Sequence, residues 1–204
     1  MNLRPLHRAN AMLLGLFLAA HLANHLAALG GVGQHIAVMA ALRHVYRGPA
    51  VEALLLAGVA VQVLSGLAQV VRGWRGRRGF VAWLQAGSGA YLALFLLIHV
   101  SAVLSGRASG LDTNFHFAAA GMFVAPFQWF FIPYYSLAVA ALFSHLGCAF
   151  YWGALDAGAP ALARRRLAGM IAAGVVLAAV SVSLLAGRIV PVHIPAPYLA
   201  KFAR

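Results

Sequence analysis

Long runs of apolar residues alternate with short polar connections along the chain. Each run is at least about 20 residues long, the length that an α-helix needs to cross roughly 30 Å of hydrocarbon. The predicted spans cover residues 9–29, 50–71, 80–105, 131–154 and 167–187. The pattern therefore predicts an all-α integral membrane protein, with five transmembrane helices in a single domain over residues 1–204.

The connections between spans are short except for residues 106–130. That segment is rich in aromatic residues, and we expect it to lie along the membrane surface before Pro133 starts the fourth span. After Val190 the chain has three prolines within seven positions. Because proline favours extended backbone, this tail is expected to be an extended outer segment.

Composition agrees with a membrane setting, since 63% of the residues are hydrophobic and 9% are charged. The net charge of +12 does not indicate nucleic-acid binding, because the basic residues lie at span ends, where they orient membrane helices. One side receives nine of them: Arg4, Arg8, Arg72, Arg75, Arg77, Arg78, Arg164, Arg165 and Arg166. The other receives six: Arg43, Arg47, Arg107, Arg188, Lys201 and Arg204. We therefore expect an inner-membrane protein with a cytoplasmic N-terminus and an outer C-terminus.

Three predicted spans contain a histidine: His21 in the first, His99 in the third and His145 in the fourth. A neutral imidazole in hydrocarbon needs a partner, and for imidazoles that face one another in a helix bundle the usual partner is haem iron. The alternative is a hydrogen bond to a nearby serine or helix carbonyl. Cys148 is the only cysteine, so this chain cannot by itself form a Cys-ligated iron–sulfur or zinc site.

Position along the spans separates two candidate haem sites. His21 and His99 lie on spans that run in the same direction, nearer the outer end, and we expect them to bind one haem. His145 lies deeper, opposite Gln62. The spacing between His21 and His99, on the first and third spans, is similar to that between Gln62 and His145, on the second and fourth. This similarity predicts two similar helix pairs in a haem-binding four-helix bundle, with the fifth span outside it. His25, one turn from His21, is a third candidate there, as a ligand, a propionate partner or a cap.

Four segments together resemble the single-chain, five-helix cytochrome b anchor of succinate dehydrogenase and fumarate reductase. They are FLAAHLANHL, YRGPAVEALLLAGVAVQVLSGL, GSGAYLALFLLIHV and SLAVAALFSHLGCAFY. The resemblance implies that His21 and His99 ligate an outer haem b and that His145 ligates an inner one. The second span departs from the family, because Gln62 stands where the family has a histidine. An amide is a poor iron ligand, so the inner site is empty, five-coordinate through His145 or ligated differently.

Candidates for quinone binding or proton transfer lie near the outer side. Glu52 lies close to the outer end of the second span, and either relays a proton or pairs with Arg43 or Arg47. Asp112, His116 and Arg107 belong to a polar, aromatic-flanked segment that suits either a quinone head group or an ordinary interfacial helix.

The expected function is electron transfer through one or two haem b groups between a quinone and a redox partner. The resemblance implies that this partner is a cytoplasmic flavoprotein together with an iron–sulfur subunit. The chain is then the electron-transfer subunit of an oxidoreductase rather than an enzyme alone. The main alternative is a stand-alone or self-assembling haem protein that stores, senses or passes haem. A transporter that uses its histidines as proton relays is a third possibility.

Overall fold

The computed structural model describes residues 3–202, is 82% helical and has no strand in that range. Eight α-helices occur in the described range: α1 Arg4–Ala27, α2 Val32–Tyr46, α3 Pro49–Arg72, α4 Phe80–Ala108, α5 Phe115–Ala119, α6 Gln128–Asp156, α7 Pro160–Leu185 and α8 Ala196–Leu199. Five of them, α1, α3, α4, α6 and α7, are long and apolar enough to cross a membrane. The predicted fold class is confirmed.

Local sequence explains where several helices begin. Proline occupies the first turn of α1, α3 and α7, where its missing N–H costs no hydrogen bond. Gly31 precedes α2 with a φ of 104°, and Gly158 lies in the turn between α6 and α7 with a φ of 74°. Both values are in the left-handed region, which glycine adopts without the steric cost of a Cβ. These turns therefore reverse the chain within a few residues.

The helices are longer than the predicted spans: α7 starts at Pro160 and not at residue 167, and α6 also starts before its predicted residue 131. It begins at Gln128, so Pro133 lies inside the helix and not at its beginning. The helix starts earlier because the amides of Phe130 and Phe131 both donate to the Phe127 carbonyl, at 3.0 Å. Pro133 removes only one hydrogen-bond donor near this end, and the helix continues through it.

The spans pack in chain order: α1 on α3, α3 on α4, α4 on α6 and α6 on α7. The α6–α7 interface is the most extensive of these, whereas α7 touches α1 only slightly. The large apolar side chains that remain exposed along the spans contact membrane lipid; they include Met12, Leu16, Leu64, Val71, Leu94, Leu137 and Val176. The end of the bundle where α1 begins is called the N-terminal face below, and the opposite end is called the capped face.

The cap is built from three segments whose local structure the hydropathy pattern did not fully describe. The connection at residues 31–48 contains the 15-residue helix α2, which was not predicted. The segment at residues 106–130, expected along the membrane surface, contains the short helix α5 and buries Phe115, which is only 1% exposed and packs with Leu184 and Ile194. The tail is not wholly extended either, since it forms α8 and packs Tyr198 on the same cluster. Arg204, counted above with the outer basic residues, lies outside the described residues.

Glycines allow the close approach of α6 and α7. A Cβ added to Gly174 would lie 2.5 Å from the Cβ of Phe143, and one added to Gly147 would lie 2.9 Å from the Cβ of Met170. Real Cβ atoms do not approach so closely, so either substitution would force the helices apart. Gly169, on the same helix as Gly174, has nothing within 4 Å of an added Cβ.

We therefore expect Gly174→Ala to destabilise the protein by about 1–3 kcal/mol, the usual cost of overpacking. The measurement is the thermal unfolding midpoint of purified protein in detergent. Gly169→Ala is the matched control and should leave the midpoint unchanged or raise it. Equal midpoints for the two variants would contradict the packing argument.

Candidate histidine centre

Histidines from three helices meet below the cap. The ring centres of His21 on α1 and His99 on α4 are 6.2 Å apart. Nε2 of His25 lies 3.3 Å from Nε2 of His21, and the His25 ring centre is 5.3 Å from that of His35 on α2. The structure thus brings together the predicted candidates His21, His25 and His99 and adds His35, whose helix α2 was not predicted.

Aromatic side chains enclose the central pair. Phe17 stacks on His21 with ring centres 5.6 Å apart, and Phe95 stacks on His99 at 5.1 Å. Phe95 also contacts Tyr134 of α6, whose hydroxyl donates to the Phe95 carbonyl at 3.3 Å. The two imidazoles are therefore surrounded by apolar rings, which exclude water and lower the local dielectric.

One face of α1 carries most of the polar side chains of this helix. Seven residues make almost two helical turns, so positions seven apart share a face. This face contains two such series: His7, Leu14 and His21, and Asn10, Phe17 and Asn24. Leu14 and Asn24 are buried, and the other members are half-buried or contact neighbouring helices. The helix therefore presents a continuous inward strip to α2, α3 and α4.

Beneath the cap, a polar pair is shielded from solvent. Asn24 and His35 are 3% and 2% exposed, and Nδ2 of Asn24 lies 3.1 Å from Nε2 of His35. The amide donates, so His35 carries its proton on Nδ1. That Nδ1 and Oδ1 of Asn24 have no hydrogen-bond partner, and neither has Nδ1 of His116. Three buried polar atoms are thus available to a water molecule or a polar ligand group.

Burial also affects protonation in this part of the cap. The pKa of His35 is lowered to about 4, first because the ring is buried and then because the neighbouring His21 and Arg43 disfavour a positive charge on it. Burial likewise lowers the pKa of His116, although Asp112 opposes the shift. Both imidazoles are therefore neutral at pH 7.

The charged candidates near the capped face form ion pairs. Glu52 on α3 pairs with Arg107 on α4 and not with Arg43 or Arg47, which corrects the expected alternative. Asp112 pairs with Arg43 at 2.7 Å. The predicted group of Asp112, His116 and Arg107 is thereby divided, because Arg107 is held against α3 while Asp112 faces α2. The first pair joins the spans α3 and α4, and the second joins α2 to the segment that follows α4.

A second polar network occupies the N-terminal face. Oε1 of Gln62 on α3 accepts from Nδ2 of Asn10 at 2.7 Å, and Nε2 of Gln62 lies 3.1 Å from Nε2 of His7. Nδ1 of His7 lies 2.8 Å from the hydroxyl of Ser65. Gln62, expected opposite His145, is therefore bonded to α1. His7 was not among the predicted candidates because it precedes the predicted first span, although its position two heptads before His21 places it on the same face.

His145 is held from α4. Its Nδ1 lies 3.0 Å from the Gln85 carbonyl and 3.3 Å from the hydroxyl of Ser88, and the Gln85 side chain accepts from Nε1 of Trp152 at 2.8 Å. Because the carbonyl can only accept, Nδ1 of His145 carries the proton and Nε2 keeps its lone pair. Metal-ligating histidines are held in the same way.

Together these features define a multi-pass helical membrane protein with buried histidines shared between its spans. No protein-family model matches the chain, and no curated protein and no solved structure is significantly similar to it. Within residues 3–202, no three His, Cys, Asp or Glu side chains are grouped closely enough to hold a bare metal ion.

The low pKa of His35 predicts acid sensitivity. As the pH falls below about 6.5, the unfolded chain binds a proton at this histidine, whereas the folded chain does not until about pH 4. Stability should therefore fall across this window. We expect His35→Gln, which cannot titrate, to weaken the decrease in thermal midpoint between pH 7 and pH 5. His44→Gln, an exposed control on the same helix, should behave like the wild type; an unchanged pH dependence in His35→Gln would contradict the assignment.

Proposed function

We propose that the protein is a membrane b-type haem protein that transfers electrons between a quinone and a redox partner, as the anchor subunit of succinate:quinone oxidoreductase does. The observation that carries the proposal is the meeting of His21 and His99 from two different spans. An iron bound by two imidazoles at about 2 Å each separates their ring centres by roughly 6 Å. The two rings are 6.2 Å apart.

The donor set also suits haem chemically. Porphyrin supplies four nitrogen ligands, so the protein needs to contribute only two, and neutral imidazoles in an apolar setting are common axial ligands. A bound haem would supply a one-electron carrier. The Nε2 atoms of His25 and His21 lie 3.3 Å apart, so iron at Nε2 of His21 would displace this contact, and we assign His25 a place beside the haem.

The charge distribution supports an orientation in the membrane, and the family resemblance suggests partners. We assign the N-terminal face to the cytoplasm, since nine of the 15 basic residues belong to it. A flavoprotein and an iron–sulfur subunit are the expected partners there, on the strength of the family resemblance. Part of this basic cluster has a structural task, because Arg77 lies over the Trp83 ring at 5.1 Å and donates to the Val70 carbonyl.

A stand-alone haem-binding protein is the second candidate. Gln62 favours this candidate, because the family that the chain resembles has a histidine at that position. A second site without that ligand would interrupt a two-haem electron path. Purification from native membranes separates the candidates: co-purifying flavin and iron–sulfur subunits support the first, and a chain that carries haem alone, or in self-assemblies, supports the second.

The haem ligands can be tested directly. We expect His21→Ala and His99→Ala each to lower the haem content by one per chain, because an axial ligand is lost. The measurements are the pyridine haemochrome assay and the dithionite-reduced minus oxidised spectrum. Exposed His44→Ala should keep the wild-type haem content, and His25→Ala should retain haem with a shifted spectrum. Wild-type protein without haem, purified from haem-replete cells, would overturn the proposal.

We place the quinone head group under the cap, near His116. Quinol oxidation releases two protons, and the neutral imidazole of His116 has a buried Nδ1 without a partner. We expect His116→Ala to slow haem reduction by a quinol about 10²-fold, the low end of the effect of a positioned acid–base group. Haem content should not change. His193→Ala, an exposed histidine of the same cap, is the control, and equal rates for both variants would exclude His116 from the quinone site.

A further inference from the structure

Gln62 is not an empty ligand position, because its side chain holds another histidine. Its amide oxygen accepts from Asn10, and its amide nitrogen lies 3.1 Å from Nε2 of His7. The amide can only donate through that nitrogen, so Nε2 of His7 is the acceptor. His7 thus presents a lone pair at the place where the resemblance expects the imidazole of residue 62.

The other nitrogen of His7 is held in the matching way. Nδ1 of His7 lies 2.8 Å from the hydroxyl of Ser65, and that hydroxyl donates to the backbone carbonyl of Gln62 at 3.4 Å. With Nε2 accepting, Nδ1 must carry the proton and donate it to Ser65. A ring whose Nδ1–H is fixed by a second group and whose Nε2 is basic is in the state that binds a metal.

His145 is in the same state on the opposite helix pair. It donates from Nδ1 to the Gln85 carbonyl and keeps the lone pair on Nε2. His7 lies against Gly66 of α3 and His145 lies against Gly89 of α4, and α3 and α4 pack on each other. His7 is also near enough to feel the charge of His145. Two basic imidazole nitrogens are therefore prepared in one region of the N-terminal face.

Each of the two rings packs against a glycine. A Cβ added to Gly66 would lie 3.3 Å from Cε1 of His7, and one added to Gly89 would lie 2.9 Å from Cε1 of His145. The absence of a side chain at both positions lets the rings lie against the backbones of α3 and α4. The two histidines thus have the same kind of support on facing helices.

The register of α1 relates His7 to the upper centre. Fourteen residues separate His7 from His21, which is close to four full turns, so both rings project from the same face. At 1.5 Å per residue the two positions are about 21 Å apart along the helix. One inward strip of α1 therefore carries a histidine for each end of the bundle.

We infer that His7 and His145 are the axial ligand pair of a second haem at the N-terminal face, with His7 replacing the ligand that is absent at Gln62. The inference rests on the proposed function, since it concerns the same electron path. Iron would take the Nε2 lone pair of His7 that the Gln62 amide now occupies, while Ser65 and the Gln85 carbonyl would keep the two rings oriented.

Haem counting on the full-length chain in detergent tests this pair. We expect two haems per chain in the wild type by pyridine haemochrome, and two low-spin signals in the electron paramagnetic resonance spectrum of the oxidised protein. His7→Ala and His145→Ala should each remove the same signal and one haem. The double variant should lose nothing further, whereas His7→Ala combined with His99→Ala should leave no haem. His44→Ala is the matched control.

A rescue variant distinguishes the loss of a haem ligand from a general folding defect. Adding Gln62→His to His7→Ala should restore the second haem, because a histidine at residue 62 faces the site that His7 serves. Retention of the His21–His99 signal in His7→Ala reports that the bundle is folded. Two haems in His7→Ala overturn the inference, as does loss of both haems without rescue.

The wild-type count separates this inference from the proposed function. A single haem that disappears in His99→Ala leaves the proposed function standing and overturns the second site. Wild-type protein without haem overturns both.

Discussion

Polar side chains inside an apolar helix must find partners within the protein, because hydrocarbon offers none. On α1 this requirement applies to one strip that runs the length of the helix. His7 and Asn10 bond to α3, His21 meets α4, and Asn24 bonds to His35 of α2. The polar strip therefore selects the neighbours of α1, whereas apolar packing against lipid-like surfaces would leave several rotations of the helix equally acceptable.

The two ends of the bundle meet this requirement differently. At the N-terminal face, hydrogen bonds between adjacent spans occupy both ring nitrogens of His7 and hold Nδ1 of His145. At the capped face the polar pair of Asn24 and His35 lies under a buried cluster that contains Phe115, and Oδ1 of Asn24 and Nδ1 of His35 have no hydrogen-bond partner. Unpartnered polar atoms therefore remain at the capped face, whereas the side chains of His7, Asn10 and Gln62 at the N-terminal face are bonded to one another.

Span number and fold class could be predicted well from composition and run length, because roughly 20 apolar residues have few alternatives to a membrane helix. The helix ends could not be predicted in this way, since hydropathy indicates where the apolar sequence ends and not where the helical hydrogen bonding ends. This is why α6 starts before Pro133. The helix α2 was missed for a related reason: its 15 residues are too few to span, so a search for spans passes over it.

The sequence by itself determined five membrane helices, their polar residues and the spacing that places His7, His21 and Asn24 on one face. Tertiary structure alone decided which groups meet across helices: Glu52 with Arg107, Asp112 with Arg43, and Gln62 with His7. The reason is physical. Periodicity fixes directions within one helix, but a contact between helices depends on their relative rotation and depth, and these are set by the sum of close packing, glycine contacts and buried hydrogen bonds along the whole interface.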